Sequence, residues 1–249
     1  MLPVEKNLPP DLAGRILHAD ERCLVVNKGI GESTEPLAGT AGQGAGTAPV
    51  DLPALLAEHF GPLQAVHRLD IPVSGCVLFA RSLGVRAFLG AAFARPGSVE
   101  KTYWAVTALP AGELPETGEL VHWIGRGRGN RSLAFDGPGP GRKQAVLRYR
   151  IRGRGDRYLF WELVLVTGRH HQIRAQLARI GLPVKGDLKY GAPRSEKGGG
   201  IRLHGYSLAF PDPGPGVAGN PPEDGKTIRV TALPPRPDAL WEAFIRAGE

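Results

Sequence analysis

Two patterns of hydrophobic and polar positions alternate along this chain, one with the period of a strand and one with the period of a helix. Short apolar or alternating segments between turn residues predict strands at 24–27, 75–81, 102–109, 121–123, 143–150, 157–167, 201–210 and 227–232. Apolar residues spaced three and four apart predict helices at 51–60, 84–94, 170–180 and 238–246. Because strands dominate and no internal repeat is present, we expect an α+β protein with a mixed, mostly antiparallel sheet flanked by helices.

The predicted helix at 170–180 combines an apolar stripe with charged and aromatic polar residues. Its expected core stripe consists of residues at helical spacing, Ile173, Leu177 and Ile180. Arg174 falls one position off this stripe and shares a face with His170 and His171.

Length and composition favour one domain. A chain of 249 residues with 42% hydrophobic content can bury a sizeable core. We expect a single domain over residues 1–249, with a core at about 16–210 and a C-terminal strand and helix at about 227–247. The loops 29–50 and 211–225 are rich in glycine and proline and show no periodicity, so we expect no regular structure in them.

The chain shows no apolar stretch long enough to span a membrane, and residues 1–11 carry charges and three prolines, unlike a secretory signal. We therefore expect a cytoplasmic protein that makes no membrane contact. The two cysteines, Cys23 and Cys76, lie in apolar segments without a CxxC partner. This indicates reduced, buried thiols rather than a disulfide or a zinc site.

Positive charge is concentrated in one part of the sequence. The formal net charge is +7, and the segment 124–157 alone holds nine arginines and one lysine against Asp136 and Asp156. Such a concentration is typical of a protein that binds a polyanion, most simply nucleic acid. A GC-rich genome would explain the preference for arginine over lysine, but it would not explain the clustering.

The tetrapeptide His67-Arg68-Leu69-Asp70 lies between an apolar approach at 63–66 and the predicted strand at 75–81. Charged side chains lose hydration in such a place, which costs free energy unless the charge is paired or used. The spacing therefore makes Asp70 a candidate for chemistry. An ordinary charged turn before a strand explains the same pattern, and the tetrapeptide alone does not separate the two interpretations.

Further groups of residues accompany this tetrapeptide in a fixed order. In chain order the groups are Asn27-Lys28; His67-Arg68-Leu69-Asp70 with Ser74-Gly75 and Ala80-Arg81-Ser82; Lys101-Thr102-Tyr103; Gly168-Arg169 with His171-Gln172-Ile173-Arg174; Gly186-Asp187 with Tyr190-Gly191; and Leu203-His204. Together they resemble the RluA-type pseudouridine synthase family over about residues 16–210. The resemblance implies the pseudouridine synthase fold and the isomerisation of uridine to pseudouridine in structured RNA, either rRNA or tRNA. It implies no cofactor, because the base detaches, rotates and re-attaches through carbon with every atom regained.

The resemblance also implies roles for individual residues. Asp70 is the catalytic carboxylate, and Arg174 is the cation that keeps it ionised through a forked pair of hydrogen bonds. Tyr103 stacks on the uracil and assists the proton transfer. Arg68 braces the space left by a uridine that is flipped out of its helix. The expected substrate-binding set is completed by His67, Leu203 and three arginines of the basic segment, Arg148, Arg150 and Arg152.

Three positions depart from the family pattern. Glycine occurs at Gly29 where a proline is usual, and Val73 and His170 stand where threonines are usual. These departures bear on local loop geometry and on the fit to RNA. Because the chain begins only about fifteen residues before the first strand of the catalytic domain, we expect it to lack the small N-terminal RNA-binding domain of many relatives. We also expect a monomer. The arginine segment 126–157 would then supply the phosphate contacts.

Each residue assignment has an ordinary structural alternative. Tyr103 can be a core residue of its strand, Arg174 can be a solvated helix residue, and His67 can be a hydrogen-bonding residue of the motif loop. Three further residues of the family motifs are expected to be architectural, at turns and strand ends: Lys101, Asp187 and Tyr190.

Two other classes of function remain open. An RNA-binding or RNA-folding protein without activity could use the same fold, and a metal-dependent hydrolase could be built on His67, Asp70 and the His170-His171 pair. We expect no metal site, because neighbouring residues of a helix point about 100° apart and no third ligand lies at a useful spacing.

Overall fold

The structure is a computed structural model that describes residues 8–37, 48–214, 225–235 and 237–247. The strands are β1 Ile16–Ala19, β2 Cys23–Lys28, β3 Glu32–Ser33, β4 Val50–Asp51, β5 Gln64–Ala65, β6 Ser74–Ala80, β7 Glu100–Ala108, β8 Thr117–Arg126, β9 Ser132–Phe135, β10 Lys143–Arg154, β11 Tyr158–Leu165, β12 Leu203–Pro211 and β13 Thr227–Thr231. The helices are α1 Pro10–Ala13, α2 Leu52–Phe60, α3 Leu83–Ala94, α4 Gln172–Arg179 and α5 Ala239–Arg246, with a short 3₁₀ helix at Leu188–Tyr190.

The chain divides into two compact units, each built from two stretches of sequence. The first unit comprises Met1–Glu100 and Gly205–Pro235, and the second comprises Lys101–His204 and Arg236–Glu249. The expectation of a single catalytic domain over residues 1–249 stays a prediction.

In the first unit, β2 pairs with β1 and β6, β6 also pairs with β5, and β12 pairs with β13, all antiparallel. All six positions of β2 and all seven of β6 are buried, which explains why both strands read as nearly continuous apolar segments. The hydrophobic core of this unit gathers residues of β2, β6, β12, β13 and α3. It includes both cysteines, which are free thiols, and burial raises the pKa of each to about 12.

The backbone around Gly75 explains why a glycine is required just after the motif loop. Its φ is +124°, a backbone conformation that L side chains rarely adopt, and a Cβ there would lie 2.3 Å from the carbonyl oxygen of Gly205. The close approach of the two backbones leaves no room for a side chain. β6 can therefore begin directly after the motif only with glycine at this position.

The second unit contains five antiparallel strands in the order β7-β11-β10-β8-β9. On one face, α5 packs its Phe244 ring on the rings of Trp104 (4.7 Å between centroids) and Phe160 (5.2 Å). α4 is anchored by Gln176, which is fully buried and donates from Nε2 to the carbonyls of Leu120 (3.0 Å, β8) and Ala145 (3.2 Å, β10). These contacts fix the position of α4 against the strands.

The predicted fold class is confirmed, since the sheet is mixed and mostly antiparallel with few helices. Every predicted strand and helix is present, and α4 begins at Gln172 rather than at residue 170. The short elements α1, β1, β5, β9 and the 3₁₀ helix were not predicted. The loop 29–50, expected to lack regular structure, contains β3 and the start of β4, which pair in parallel. Residues 38–47 of that loop and 215–224 of the loop 211–225 lie outside the described residues. Within the part of the chain that the structure describes, no helix is long and apolar enough to cross a membrane.

Candidate active site

Asp70 lies in the turn that leads into β6. The Val73 N–H donates to the Asp70 carbonyl at 2.9 Å, which closes the turn. Leu69, just before it, is buried, while Asp70 itself is half-buried. A buried anchor on one side and a hydrogen-bonded turn on the other fix the backbone that carries the carboxylate.

Lys28, the last residue of β2, holds the same turn in place. Its side chain is 0% exposed. The ammonium donates to three backbone carbonyls, those of Gly29 (2.8 Å), Ile71 (3.3 Å) and Val73 (2.6 Å). Two of these carbonyls belong to the turn of Asp70, so the geometry of that turn depends on a buried positive charge.

The charges around Lys28 alternate in sign. Burial lowers the pKa of the Lys28 ammonium from 10.5 to about 8, and the negative charges of Glu32 and Asp70 oppose that shift. Glu32 is itself buried and accepts hydrogen bonds from Arg15 Nη2 (2.5 Å) and from the Gly29 N–H (2.7 Å). Lys28 is thus a fixed cation within electrostatic reach of Asp70. No role was predicted for Lys28 from the sequence, although a lysine at the end of an apolar strand is a signal that its charge is buried.

The structure uses His67 in packing. The Leu78 N–H donates to His67 Nε2 at 3.2 Å, and the imidazole ring stacks on Phe93 of α3 with 4.8 Å between centroids. Both contacts favour the interpretation of His67 as a hydrogen-bonding residue of the motif loop over its predicted role in binding substrate.

Arg68 lies on the surface. Its Nη1 donates to Glu35 Oε1 at 3.0 Å, and the side chains of both residues are more than half exposed. An exposed ion pair of this kind contributes at most about 1 kcal/mol, so Arg68 can leave Glu35 at little cost. The predicted role of Arg68, bracing the space of a flipped base, requires such freedom and stays a prediction.

Tyr103 is 8% exposed and lies on β7 opposite Leu163 of β11. Its burial is compatible both with a core residue and with an aromatic surface for a base. On the same strand, burial lowers the pKa of Lys101, and a Cβ on Gly168 would lie 3.2 Å from the Lys101 Nζ. Gly168 therefore leaves space for the lysine ammonium.

Arg174 is 4% exposed, so the alternative of a solvated helix residue is wrong. Its Nε and Nη2 donate to the two carboxylate oxygens of Asp187 at 2.6 and 2.8 Å, the forked geometry that arginine forms with carboxylates. Asp187, expected to be architectural, is the partner that holds the guanidinium in place. A contact between Arg174 and Asp70 stays a prediction.

Tyr190 connects this ion pair to β9. The guanidinium of Arg174 lies over its ring at 4.9 Å from the centroid, and the guanidinium of Arg131 lies over the same ring at 5.3 Å. The Tyr190 hydroxyl accepts from the Ser132 N–H at 2.8 Å and lies 2.9 Å from His171 Nδ1. Tyr190 is therefore a junction between β9, the start of α4 and the 3₁₀ helix.

His170 and His171 precede α4 and do not lie in a helix. The argument that neighbouring helical residues point about 100° apart, used above against a metal site, is therefore wrong for this pair. His171 has φ +51° and precedes the first residue of α4, and its ring stacks on that of His170 with 3.8 Å between centroids. The Nδ1 atom of each ring lies at hydrogen-bond distance from a hydroxyl, His170 from Ser132 and His171 from Tyr190, both at 2.9 Å.

One group of potential metal ligands lies elsewhere. Among the described residues, His18, Asp20 and Cys23 bring one ligand atom each within 4.8 Å of one another. The Asp20 carboxylate already accepts from the Arg22 guanidinium and from two backbone N–H groups, and burial raises the pKa of the Cys23 thiol to about 12. A thiolate ligand is therefore disfavoured at this position.

The three predicted arginines of β10 have acidic partners. Arg148 pairs with Glu119 of β8 (3.2 Å), and both Arg150 (2.8 Å) and Arg152 (3.0 Å) pair with Glu162 of β11. The glutamates lie outside the basic segment in sequence and reach it through strand pairing. Leu203, the remaining predicted residue, is 4% exposed at the start of β12.

Comparison with known sequences supports a common origin with RNA-modifying enzymes. Residues 23–179 match the family described as RNA pseudouridylate synthase. The chain is 31% identical to the ribosomal large subunit pseudouridine synthase D of Neisseria meningitidis over 96% of its own length, but it spans only 63% of that relative. It is 27% identical to the dual-specificity RNA pseudouridine synthase RluA of Vibrio cholerae, covering 86% of this chain and 83% of the relative.

Solved structures show the same fold. Human RNA pseudouridylate synthase domain containing 1 superposes with a TM-score of 0.68 at 22% identity, covering 93% of this chain and 86% of the human chain. Human RNA pseudouridylate synthase domain containing 4 gives a TM-score of 0.64 at 21% identity, covering 95% and 94%. At these identities the likeness concerns the fold alone.

Proposed function

Because the chain belongs to the RNA pseudouridylate synthase family, we propose that it converts uridine to pseudouridine in structured RNA. In this reaction the bond between uracil N1 and ribose C1′ breaks and a bond between C5 and C1′ forms. The hydrogen on C5 leaves as a proton, and N1 gains one. The product is an isomer of the substrate, so the reaction consumes no oxidant or reductant, and we propose that no cofactor takes part.

The observation that carries this proposal is the family match, because residues 23–179 include Asp70, Tyr103 and Arg174. The structure adds physical support at Asp70. Its turn is held by the buried ammonium of Lys28, which donates to the carbonyls of Ile71 and Val73.

We propose that the ionised Asp70 acts on the ribose anomeric carbon or on the uracil ring, so that the base detaches. Tyr103 provides an aromatic face for the uracil and a hydroxyl for the proton transfer at C5. Arg174 contributes a permanent positive charge. Arg68 fills the space of the flipped uridine, since a base inside a helix cannot reach a recessed carboxylate.

The named relatives suggest the substrate. One acts, by its name, on the large ribosomal subunit, and another is described as dual-specificity, so we propose rRNA or tRNA as the target. Such RNA is cytoplasmic in bacteria, and we propose a cytoplasmic monomer. Flipping costs a few kcal/mol, which favours a uridine in a loop over one in a continuous helix.

The test is release of tritium from RNA labelled with [5-³H]uridine, isolated from cells that lack the gene. The wild-type protein should release tritium into water, and Asp70→Asn should release none while keeping its RNA affinity within tenfold. Asp11→Asn, an exposed carboxylate of α1, is the matched control and should behave as wild type. Release by Asp70→Asn at the wild-type rate would refute the assignment. RNA binding without release by wild type would favour a protein that only binds RNA.

A further inference from the structure

The hairpin formed by β8 and β9 ends in a glycine-rich turn that carries arginines. Residues 125–131 are Gly-Arg-Gly-Arg-Gly-Asn-Arg, and the arginines are Arg126, Arg128 and Arg131. Gly129 and Asn130 have φ of +63° and +54°, and the Gly127 N–H donates to the Arg131 carbonyl at 2.8 Å, which closes the turn. All three arginines are exposed. A compact turn therefore presents three guanidinium groups to solvent.

These arginines differ from those of β10 in their acidic neighbours. On β10, four arginines face three glutamates, in pairs that join Arg148 to Glu119, Arg150 and Arg152 to Glu162, and Arg154 to Glu116. Among the described residues, no carboxylate lies within ion-pair distance of Arg126, Arg128 or Arg131. The arginines of β10 are thus paired with glutamates, whereas the three arginines of the turn have no carboxylate of the described residues beside them.

The turn is also tied to a residue of the proposed catalytic set. Arg131, at its end, lies over the ring of Tyr190, and Arg174 lies over the same ring. The next residue, Ser132, donates its N–H to the Tyr190 hydroxyl at 2.8 Å. Because Tyr190 is buried and holds both partners, the turn has a fixed position relative to Arg174 within the second unit.

The chemistry of the turn favours a phosphate ligand over a protein surface. Between residues 125 and 131 the side chains are arginine, asparagine or absent, and no apolar group is available to anchor a protein partner. Glycines at 125, 127 and 129 place no side chain next to Arg126 and Arg128, so both of these exposed guanidinium groups can turn toward an oxyanion. Exposed arginine binds phosphate through two parallel hydrogen bonds.

We propose that Arg126 and Arg128 bind phosphates of the RNA strand that flanks the target uridine, in place of the arginines of β10. This inference rests on the proposed function, since it supplies the site with its RNA contact. For a single strand, each phosphate contact contributes about 0.7 to the slope of log K against log salt, because counterions are released. Two contacts at the turn should therefore account for about 1.4 of that slope. At 0.1 M salt that slope corresponds to roughly 20-fold in affinity.

The experiment measures the affinity of a fluorescein-labelled 20-nucleotide oligouridine from 0.05 to 0.4 M salt. The first variant is Arg126→Gln/Arg128→Gln, and Arg126→Lys/Arg128→Lys retains the charges. The competing variant is Arg148→Gln/Arg150→Gln on β10. The matched control is Arg154→Gln/Arg229→Gln, which removes two arginines that have acidic partners, Glu116 and Glu100.

We expect the glutamine variant of the turn to lose roughly 20-fold in affinity at 0.1 M salt and about 1.4 of the slope, and the lysine variant to keep most of both. The β10 variant and the control should stay within about threefold of wild type at the same salt. A slope unchanged by Arg126→Gln/Arg128→Gln would overturn the inference, and so would an equal loss in the β10 variant. Wild-type protein that does not bind the oligouridine would also overturn it.

Tritium release from [5-³H]uridine RNA separates this inference from the proposed function. If wild type binds RNA with the expected dependence on the turn but releases no tritium, the isomerase proposal fails and the phosphate contact stands. If wild type releases tritium and the turn variant binds and reacts as wild type does, only the present inference fails.

Discussion

Replacing Lys28 by methionine tests whether a buried ammonium stands behind the turn of Asp70. The substitution keeps the length and apolar character of the side chain and removes the charge that contacts the carbonyls of Ile71 and Val73. Because both hydrogen bonds and burial change at once, the stability of Lys28→Met at a single pH is hard to interpret. The dependence of its stability on pH isolates the ammonium.

The sign follows from the lowered pKa of Lys28, which is about 8 in the folded protein against 10.5 for the free side chain. Between these values the unfolded chain holds the proton and the folded protein has lost it, so the free energy of unfolding rises with pH. Compared with its value at pH 7, the unfolding free energy of wild type minus that of Lys28→Met should be higher by about 1 kcal/mol at pH 9 and by about 3 kcal/mol above pH 10.5. Below pH 8 the buried charge opposes folding by that full amount.

The assay is urea denaturation of wild type and Lys28→Met from pH 7 to 11, with the difference in unfolding free energy plotted against pH. Other titrating groups are shared by both proteins and cancel in the difference. Lys226→Met is the matched control, because Lys226 is exposed and its ammonium stays in water on folding. A wild-type-minus-Lys28→Met difference that stays flat across this range, or falls, would refute the burial of a charged Lys28.

Three further substitutions test other parts of the site by urea denaturation. Gly75→Ala should lower the free energy of unfolding by about 3 kcal/mol or more, because its Cβ would collide with backbone. Gly90→Ala in α3, where the space is open, is the control and should raise it by up to about 1 kcal/mol. Equal effects of the two substitutions would contradict the close approach of the backbones at Gly75. Asp187→Asn should cost about 3 kcal/mol by leaving the buried charge of Arg174 without its carboxylate, and a neutral effect would show that the guanidinium reaches water. Tyr190→Phe should cost about 1 kcal/mol, because its hydroxyl accepts a backbone N–H, and no loss would mean that this bond is not made in solution.

Local signals in the sequence predict the elements that local interactions stabilise. α2 begins where expected because the Asp51 carboxylate accepts from the Ala54 N–H at 2.9 Å, and Pro53 occupies the first turn. β2 and β6 are recognisable because burial on both faces requires apolar residues at nearly every position. β9 is harder to predict, since four residues beside a glycine-rich turn carry little periodicity.

The electrostatic partners could not be predicted, because they are decided by strand register and by turns. The net charge of the segment 124–157 suggested a continuous phosphate-binding surface, yet Glu119 lies opposite Arg148 and Glu162 lies opposite Arg150 in the sheet. Only the pairing of β10 with its two neighbours reveals that these charges cancel. Likewise, nothing in the spacing of Arg174 and Asp187 indicates a buried ion pair until the turn between them is known.

Each unit of this protein holds a buried cation on a fixed set of oxygen atoms: Lys28 on three carbonyls and Arg174 on the carboxylate of Asp187. These bonds form within a unit and need no RNA, so the positive charges are positioned during folding and not during the reaction. Substitutions at either cation should therefore change stability and catalysis together. Among the described residues, no carboxylate pairs with Arg126 or Arg128 of the β8–β9 turn, so their substitution should change RNA affinity and its salt dependence while stability stays within about 0.5 kcal/mol of wild type.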